Sequence, residues 1–98
     1  MNQSEPLHTQ VTITHPLGLH LRMSKDMVHV ANQYRATITA QNLTRQSPVV
    51  DVKSILQLMR LQARQGHTIQ LHAQGPDARE ALHALRSLLE TPPVVPSL

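Results

Sequence analysis

Cysteine, tryptophan and phenylalanine are absent, and Tyr34 is the lone tyrosine. Without cysteine there is no disulfide, no thiolate nucleophile and no cysteine-held zinc or iron–sulfur cluster. Without aromatic platforms, the bases of a single-stranded nucleic acid have nothing to stack on. Long apolar runs are also missing, and none approaches the roughly 20 residues of a membrane-spanning helix. The opening Met1-Asn2-Gln3-Ser4-Glu5-Pro6 is polar and lacks the apolar segment of a signal peptide, so the cytosol is the expected compartment. Charge is scarce too: 9 Lys+Arg stand against 6 Asp+Glu, a net +3 with histidine neutral. The mild positive balance favours an anionic partner, whether phosphate, an acidic protein face or nucleic acid. The scatter of the basic residues, with no polybasic arm, makes nucleic acid the weak reading of these.

What is present is a 98-residue chain, 40% of it hydrophobic and almost wholly aliphatic. That length makes one domain, burying about 60–65% of its unfolded surface. Its core is built from Leu, Val, Ile, Met and Ala. Residues 1–9 read as a lead-in, residues 10–90 as the domain, and residues 91–98, with Pro92, Pro93 and Pro96, as a flexible tail.

Polar and apolar residues alternate in 10–14, placing Val11 and Ile13 inward on a first strand. Pro16 and Gly18 then turn the chain. From Leu21 the period becomes helical: Met23, Met27, Val30 and Tyr34 share one face of a helix over 21–33, while Ser24, Lys25, Asp26, His29 and Asn32 fall on the other. Met23 and Met27 are assigned to the core. Residues 36–41 and 48–52 form strands two and three. Ser54 then caps a helix of about ten residues that stops at Gly66. Residues 67–73 alternate as strand four. A last helix opens at Pro76 with Asp77 in its first turn, and Ala78, Ala81, Leu82, Leu85, Leu88 and Leu89 form its apolar stripe. The order β-α-β-β-α-β-α, with alternating strands and one-sided helices, predicts an α+β two-layer open-faced sandwich: an antiparallel sheet covered on one face by three helices.

Gly18-Leu19-His20-Leu21-Arg22, at a strand-to-helix junction, is the segment with chemistry in it. Glycine allows a tight path. His20 falls at the start of the helix, where backbone N–H groups lack intrahelical partners and the dipole is positive, so an anion beside the imidazole is favoured. Arg22 can fork onto phosphate oxygens. A nucleophilic imidazole, free N–H donors and a guanidinium are the parts needed to hold and return a phosphoryl group. Taken alone, Gly-x-His-x-Arg is a weak pattern, and a surface or capping histidine is its commoner meaning. The remaining histidines (8, 15, 29, 67, 72 and 83) show no metal-ligand spacing on a helix, so neither metal nor cofactor is expected. His15, near the site, is expected to be exposed.

The wider arrangement resembles the histidine-containing phosphocarrier protein HPr of the bacterial phosphoenolpyruvate:sugar phosphotransferase system. The matching residues are Val11-Thr12-Ile13-Thr14, Gly18-Leu19-His20-x-Arg22 and Val52-Lys53-Ser54-Ile55-Leu56-x-Leu58, over about residues 10–90. The resemblance implies a strand order of 1-4-2-3. It implies phosphorylation of His20 on Nδ1, with Gly18 making the turn and Arg22 stabilising the phosphoryl group. It aligns Ser54 with a serine that a dedicated kinase, HPr kinase/phosphorylase, modifies in some bacteria, although Ser at an N-cap is explained by helix capping alone, at about 1 kcal/mol. Leu17, Leu21 and Met23 depart from the polar or small residues usual at their positions, and Leu17 offers no acceptor to orient the imidazole. The turn between strands two and three is about three residues longer than usual.

Ile55, Leu56, Met59 and Leu61 are too many for one core stripe, so some are exposed. The docking set, by the resemblance, is Leu21, Lys25, Ile55, Leu56 and Met59. The function implied is that of a cytoplasmic, monomeric carrier rather than an enzyme. It takes the phosphoryl group from Enzyme I and passes it to a sugar-specific Enzyme IIA-type domain, with no membrane or nucleic-acid partner. The alternatives are an HPr-like regulator acting through its phosphorylation state, and a small anion- or nucleic-acid-binding module.

Overall fold

Strands β1 (Leu7–Thr12), β2 (Thr37–Asn42), β3 (Val50–Asp51) and β4 (Thr68–Gln74) pair antiparallel in the order β1-β4-β2-β3. The computed structural model describes residues 5–90. Helices α1 (Leu21–Ala31), α2 (Ile55–Leu58) and α3 (Ala78–Glu90) complete the order β-α-β-β-α-β-α. Val11, Ile38, Ala40, Ile69, Leu71 and Ala73 face inward from the sheet, and Met27, Ala31, Leu58, Ala81 and Leu85 close over them from the helices. His8, Thr12 and His72, on alternate positions, face solvent. The chain is therefore an α+β open-faced sandwich with the implied strand order. Burying each Leu or Ile contributes about 2 kcal/mol, so an aliphatic core suffices without aromatic rings.

Several boundaries differ from the sequence reading, each for a local reason. The first strand begins at Leu7, so three residues assigned to the lead-in belong to the sheet: Leu7, His8 and Thr9 pair with Ala73, His72 and Leu71. It ends at Thr12, yet the connection carries on past it. Ile13 N–H donates to His67 O at 2.9 Å, and Gly66 N–H donates to Ile13 O at 2.8 Å. The proposed tail, 91–98, lies outside the described residues, as do residues 1–4 of the lead-in. Helix α1 stops two residues short of the expected end, because Asn32 closes it, its Nδ2 donating to Val28 O at 2.9 Å and to Lys53 O at 3.4 Å. The third strand shrinks to two residues; Pro48 has no N–H for the ladder.

The second helix is shorter than expected. Four residues of α-helix pass into a single 3₁₀ turn, Met59–Leu61, and Gln62 ends it in the left-handed region at φ 46°. Gly66 is not the stop. It lies in the turn leading to β4, where φ is +90°. At the last helix, Asp77 precedes the first turn instead of occupying it. Its carboxylate accepts from the N–H groups of Arg35 and Ala36, both at 2.8 Å, and so joins α3 to the entry of β2. Ser24, assigned to the polar side of α1, is fully buried.

Candidate functional site

His20 is the N-cap of α1, with extended backbone (φ −78°, ψ 174°) before the first helical residue. Its carbonyl accepts the first helical bond, from Ser24 N–H at 2.9 Å. Its ring turns back over the helix start, so that Nδ1 accepts from Met23 N–H at 3.4 Å. That bond is long and therefore weak. The N–H groups of Leu21 and Arg22 lie in the same first turn, which has no intrahelical acceptors. The helix dipole adds partial positive charge there. Arg22 is exposed one turn-position on.

The loop leading into His20 is held from below. Gly18 has φ +67°, and a Cβ at that position would stand 2.5 Å from Ala63 O and 2.8 Å from the Cα of Arg64. No other residue tolerates both demands. The close approach is fastened by Leu19 N–H donating to Ala63 O at 2.9 Å. The segment underneath is itself fixed. His67 Nδ1 accepts from Arg64 N–H at 3.1 Å and faces Asn42 Nδ2 at 3.0 Å. An amide nitrogen can only donate, so the ring nitrogen accepts both bonds and the neutral ring carries its proton on Nε2. Asn42, fully buried, also donates to Leu61 O at 3.1 Å and accepts from Thr44 N–H at 3.1 Å.

Sequence reasoning missed this support, because it joins β2, the 3₁₀ turn and β4 across long stretches of chain. It also misplaced His15. That residue is half-buried, and its ring lies against His20, with centroids 4.8 Å apart and planes inclined at 57°. The only signal in the sequence was its nearness to Pro16 and Gly18.

The other candidate residues fall as follows. Ser54 is the N-cap of α2, its Oγ accepting from Gln57 N–H at 3.4 Å. Leu21 and Lys25 are on the exposed side of α1. In the second helical segment Leu56 is 80% exposed, Met59 is also exposed, Ile55 is half-buried, and Leu58 and Leu61 are core. Helices α1 and α2 pack against each other. Met27 is core and Met23 is half-buried against it. Leu17, 73% exposed, is an apolar residue of the site loop that the docking set omitted. Among the described residues, no three His, Asp or Glu side chains converge as a metal site would require. Among them, too, no helix is long and apolar enough to cross a membrane.

Such a sheet, helix-covered on one face and presenting a histidine at a helix N-terminus, defines a small histidine-bearing carrier fold. A family model described as the phosphotransferase-system HPr component phosphorylation site matches residues 7–91. The phosphocarrier protein HPr of Cupriavidus necator is 36% identical over 83 residues, 85% of this chain and 90% of that protein. The multiphosphoryl transfer protein of Haemophilus influenzae is 40% identical over 74 residues, 76% of this chain but only 15% of that larger protein. Among solved structures, the phosphocarrier protein HPr of Bacillus anthracis superposes with a TM-score of 0.79 at 29% identity, covering 87% of this chain and 98% of that one. The chain belongs to the HPr family, the phosphocarriers of the phosphotransferase system: carriers of a phosphoryl group rather than enzymes.

Proposed function

We propose that His20 is the residue of this phosphocarrier that takes up the phosphoryl group, and that it does so on Nδ1. The observation that carries this reading is the position of that nitrogen, over the N-terminus of α1 and 3.4 Å from Met23 N–H. As the nitrogen–phosphorus bond forms at Nδ1, the bond from phosphorus to its donor breaks. The lone pair that accepted from Met23 is then used in the new bond. Little is lost, because the hydrogen bond was weak, and Met23 N–H is released to a phosphoryl oxygen. The phosphoryl group brings about −2 charge, and the first-turn N–H groups, the helix dipole and the Arg22 guanidinium offset it. Such transfers need positioning and charge stabilisation more than covalent help from the protein.

The donor is phosphorylated Enzyme I and the acceptor an Enzyme IIA-type domain, in the cytoplasm. These partners dock on the exposed apolar residues Leu21, Leu56 and Met59, with Ile55 at their margin and Arg22, Lys25 and Arg60 as a basic rim. Apolar centres with charged surroundings suit small interfaces. Ser54 acts first as a helix cap, on the strength of its bond to Gln57 N–H; regulation by a serine kinase is a second role. The test is intact mass after incubation with phosphoenolpyruvate and Enzyme I. The parent gains one acid-labile phosphate and His20→Ala gains none. A retained gain in the variant overturns the assignment.

A further inference from the structure

We infer that His15 is a positioning residue for the phosphoryl acceptor, holding the His20 ring by direct ring contact. The inference rests on the reading of His20 as the acceptor. It starts from how little else orients that ring. The terminal torsion of a histidine side chain is broad and roughly two-fold, so an imidazole is not oriented by its backbone alone. The hydrogen bond that the His20 ring makes in the structure, from Met23 N–H, is 3.4 Å long. Position 17, three residues before His20, holds a leucine that is 73% exposed and has no polar side-chain group to offer.

The His15 ring supplies the missing constraint. Its centroid lies 4.8 Å from that of His20 with the planes inclined at 57°, within the range of tilted ring pairs in contact. It is itself firmly held. Leu17 N–H donates to His15 Nδ1 at 3.0 Å, and Gly18 N–H donates to His15 O at 2.9 Å, so side chain and backbone close the same His15-Pro16-Leu17-Gly18 turn. Pro16 fixes one backbone torsion inside it. Gly18 presses the turn onto Ala63 and Arg64. A ring pinned at its own Nδ1, on a turn braced from beneath, is a rigid wall for a neighbour with one weak bond. Group transfer is steep in such alignment, and small misplacements of a reacting atom are costly.

A simpler role for His15 is to shape the turn only, and two substitutions separate the roles. His15→Asn keeps a side-chain acceptor for Leu17 N–H but removes the ring. His15→Phe keeps a ring against His20 but removes the acceptor. Each full-length variant is mixed with Enzyme I and phosphoenolpyruvate, and the single-turnover rate of phosphorylation is followed against carrier concentration. His15→Asn should slow the transfer step by about tenfold with the half-saturating concentration unchanged, and His15→Phe should recover most of the rate. The His20 ring carbon and proton resonances should move in His15→Asn and stay near their parent positions in His15→Phe. A parent-like rate and unmoved His20 resonances in His15→Asn would show that His15 only shapes the turn. Equal losses in both variants would show that a ring at this position does not restore the rate, and would overturn the ring contact as what positions His20. His20→Ala, run alongside, separates the two claims. Phosphate uptake by that variant defeats the acceptor assignment and this inference with it, whereas its loss beside a parent-like His15→Asn defeats this inference alone.

Discussion

Ser24 sits one turn into α1, fully buried, with an Oγ that finds no hydrogen-bond partner. A buried hydroxyl left unpaired costs about 1–3 kcal/mol. Replacing Ser24 with Ala removes the orphan and keeps the volume nearly unchanged, so chemical denaturation should show a gain of about 1 kcal/mol with an unchanged slope. A loss of stability would mean that the hydroxyl has a partner in solution. Polarity alone had placed Ser24 on the wrong side of the helix. Small polar residues fit into cores wherever a helix lies close to its neighbours, as α1 does to α2 and α3, and no periodicity records that closeness. At the same scale His20, Gly18 and Arg22 stood out in the sequence because they fall at a junction between two periods. His15 did not, because its role depends on a turn that folds its ring back by five residues' worth of chain.

Among the elements, β2 and β4 were legible from clean alternation, and α3 from its apolar stripe. The second helix was not. Its stop is Gln62 in a left-handed conformation, a position that sequence gives no reason to expect of glutamine, while Gly66 four residues on carries the familiar sign of a helix end. The junction of α3 with β2 shows what such local rules leave out. Asp77 looks like an acid placed for the helix dipole, but it accepts from Arg35 and Ala36 N–H. The bond from Arg35 N–H, foremost, together with that from Ala36 N–H and the charge of Lys53, holds its carboxyl below the usual carboxylate value. A depressed folded-state pKa stabilises the fold above the unfolded-state pKa, near 3.9, and that contribution fades as pH falls through the lower value. Asp77→Asn keeps one of the two accepting oxygens and loses the charge. Its thermal midpoint should lie below that of the parent at pH 7, and the gap should narrow as the pH falls below the unfolded-state value. A gap that stays constant over that range would place the stabilisation elsewhere.

For the molecule as a whole, composition and alternation led to an α+β sandwich, while the strand order came through the likeness to a family and not through any pattern in the strands. Antiparallel alternation is the same for several orders, so no residue pattern distinguishes β1-β4-β2-β3 from its rivals. The surface follows more directly. The net charge is +3 and Leu56 stands 80% exposed, and the proposed docking surface would suit an acidic, partly apolar partner. Leu56→Glu should weaken binding to Enzyme I, chiefly through faster dissociation, by tenfold or more, roughly what losing one well-placed interface side chain costs. Its circular dichroism spectrum and melting should match the parent, since Leu56 is outside the core. Raising the salt should slow association of both proteins, because the basic rim steers encounter. A folded Leu56→Glu that binds as the parent does would move the docking surface away from α2.

The acceptor atom itself is the central claim, and nitrogen-15 and phosphorus-31 NMR of the phosphorylated carrier reads it directly. After incubation of the labelled chain with phosphoenolpyruvate and Enzyme I, phosphorus should couple to Nδ1 of His20, and the backbone amides of Leu21, Arg22 and Met23 should shift more than any others. Coupling to Nε2 of His20, or to any other side chain, would contradict the account.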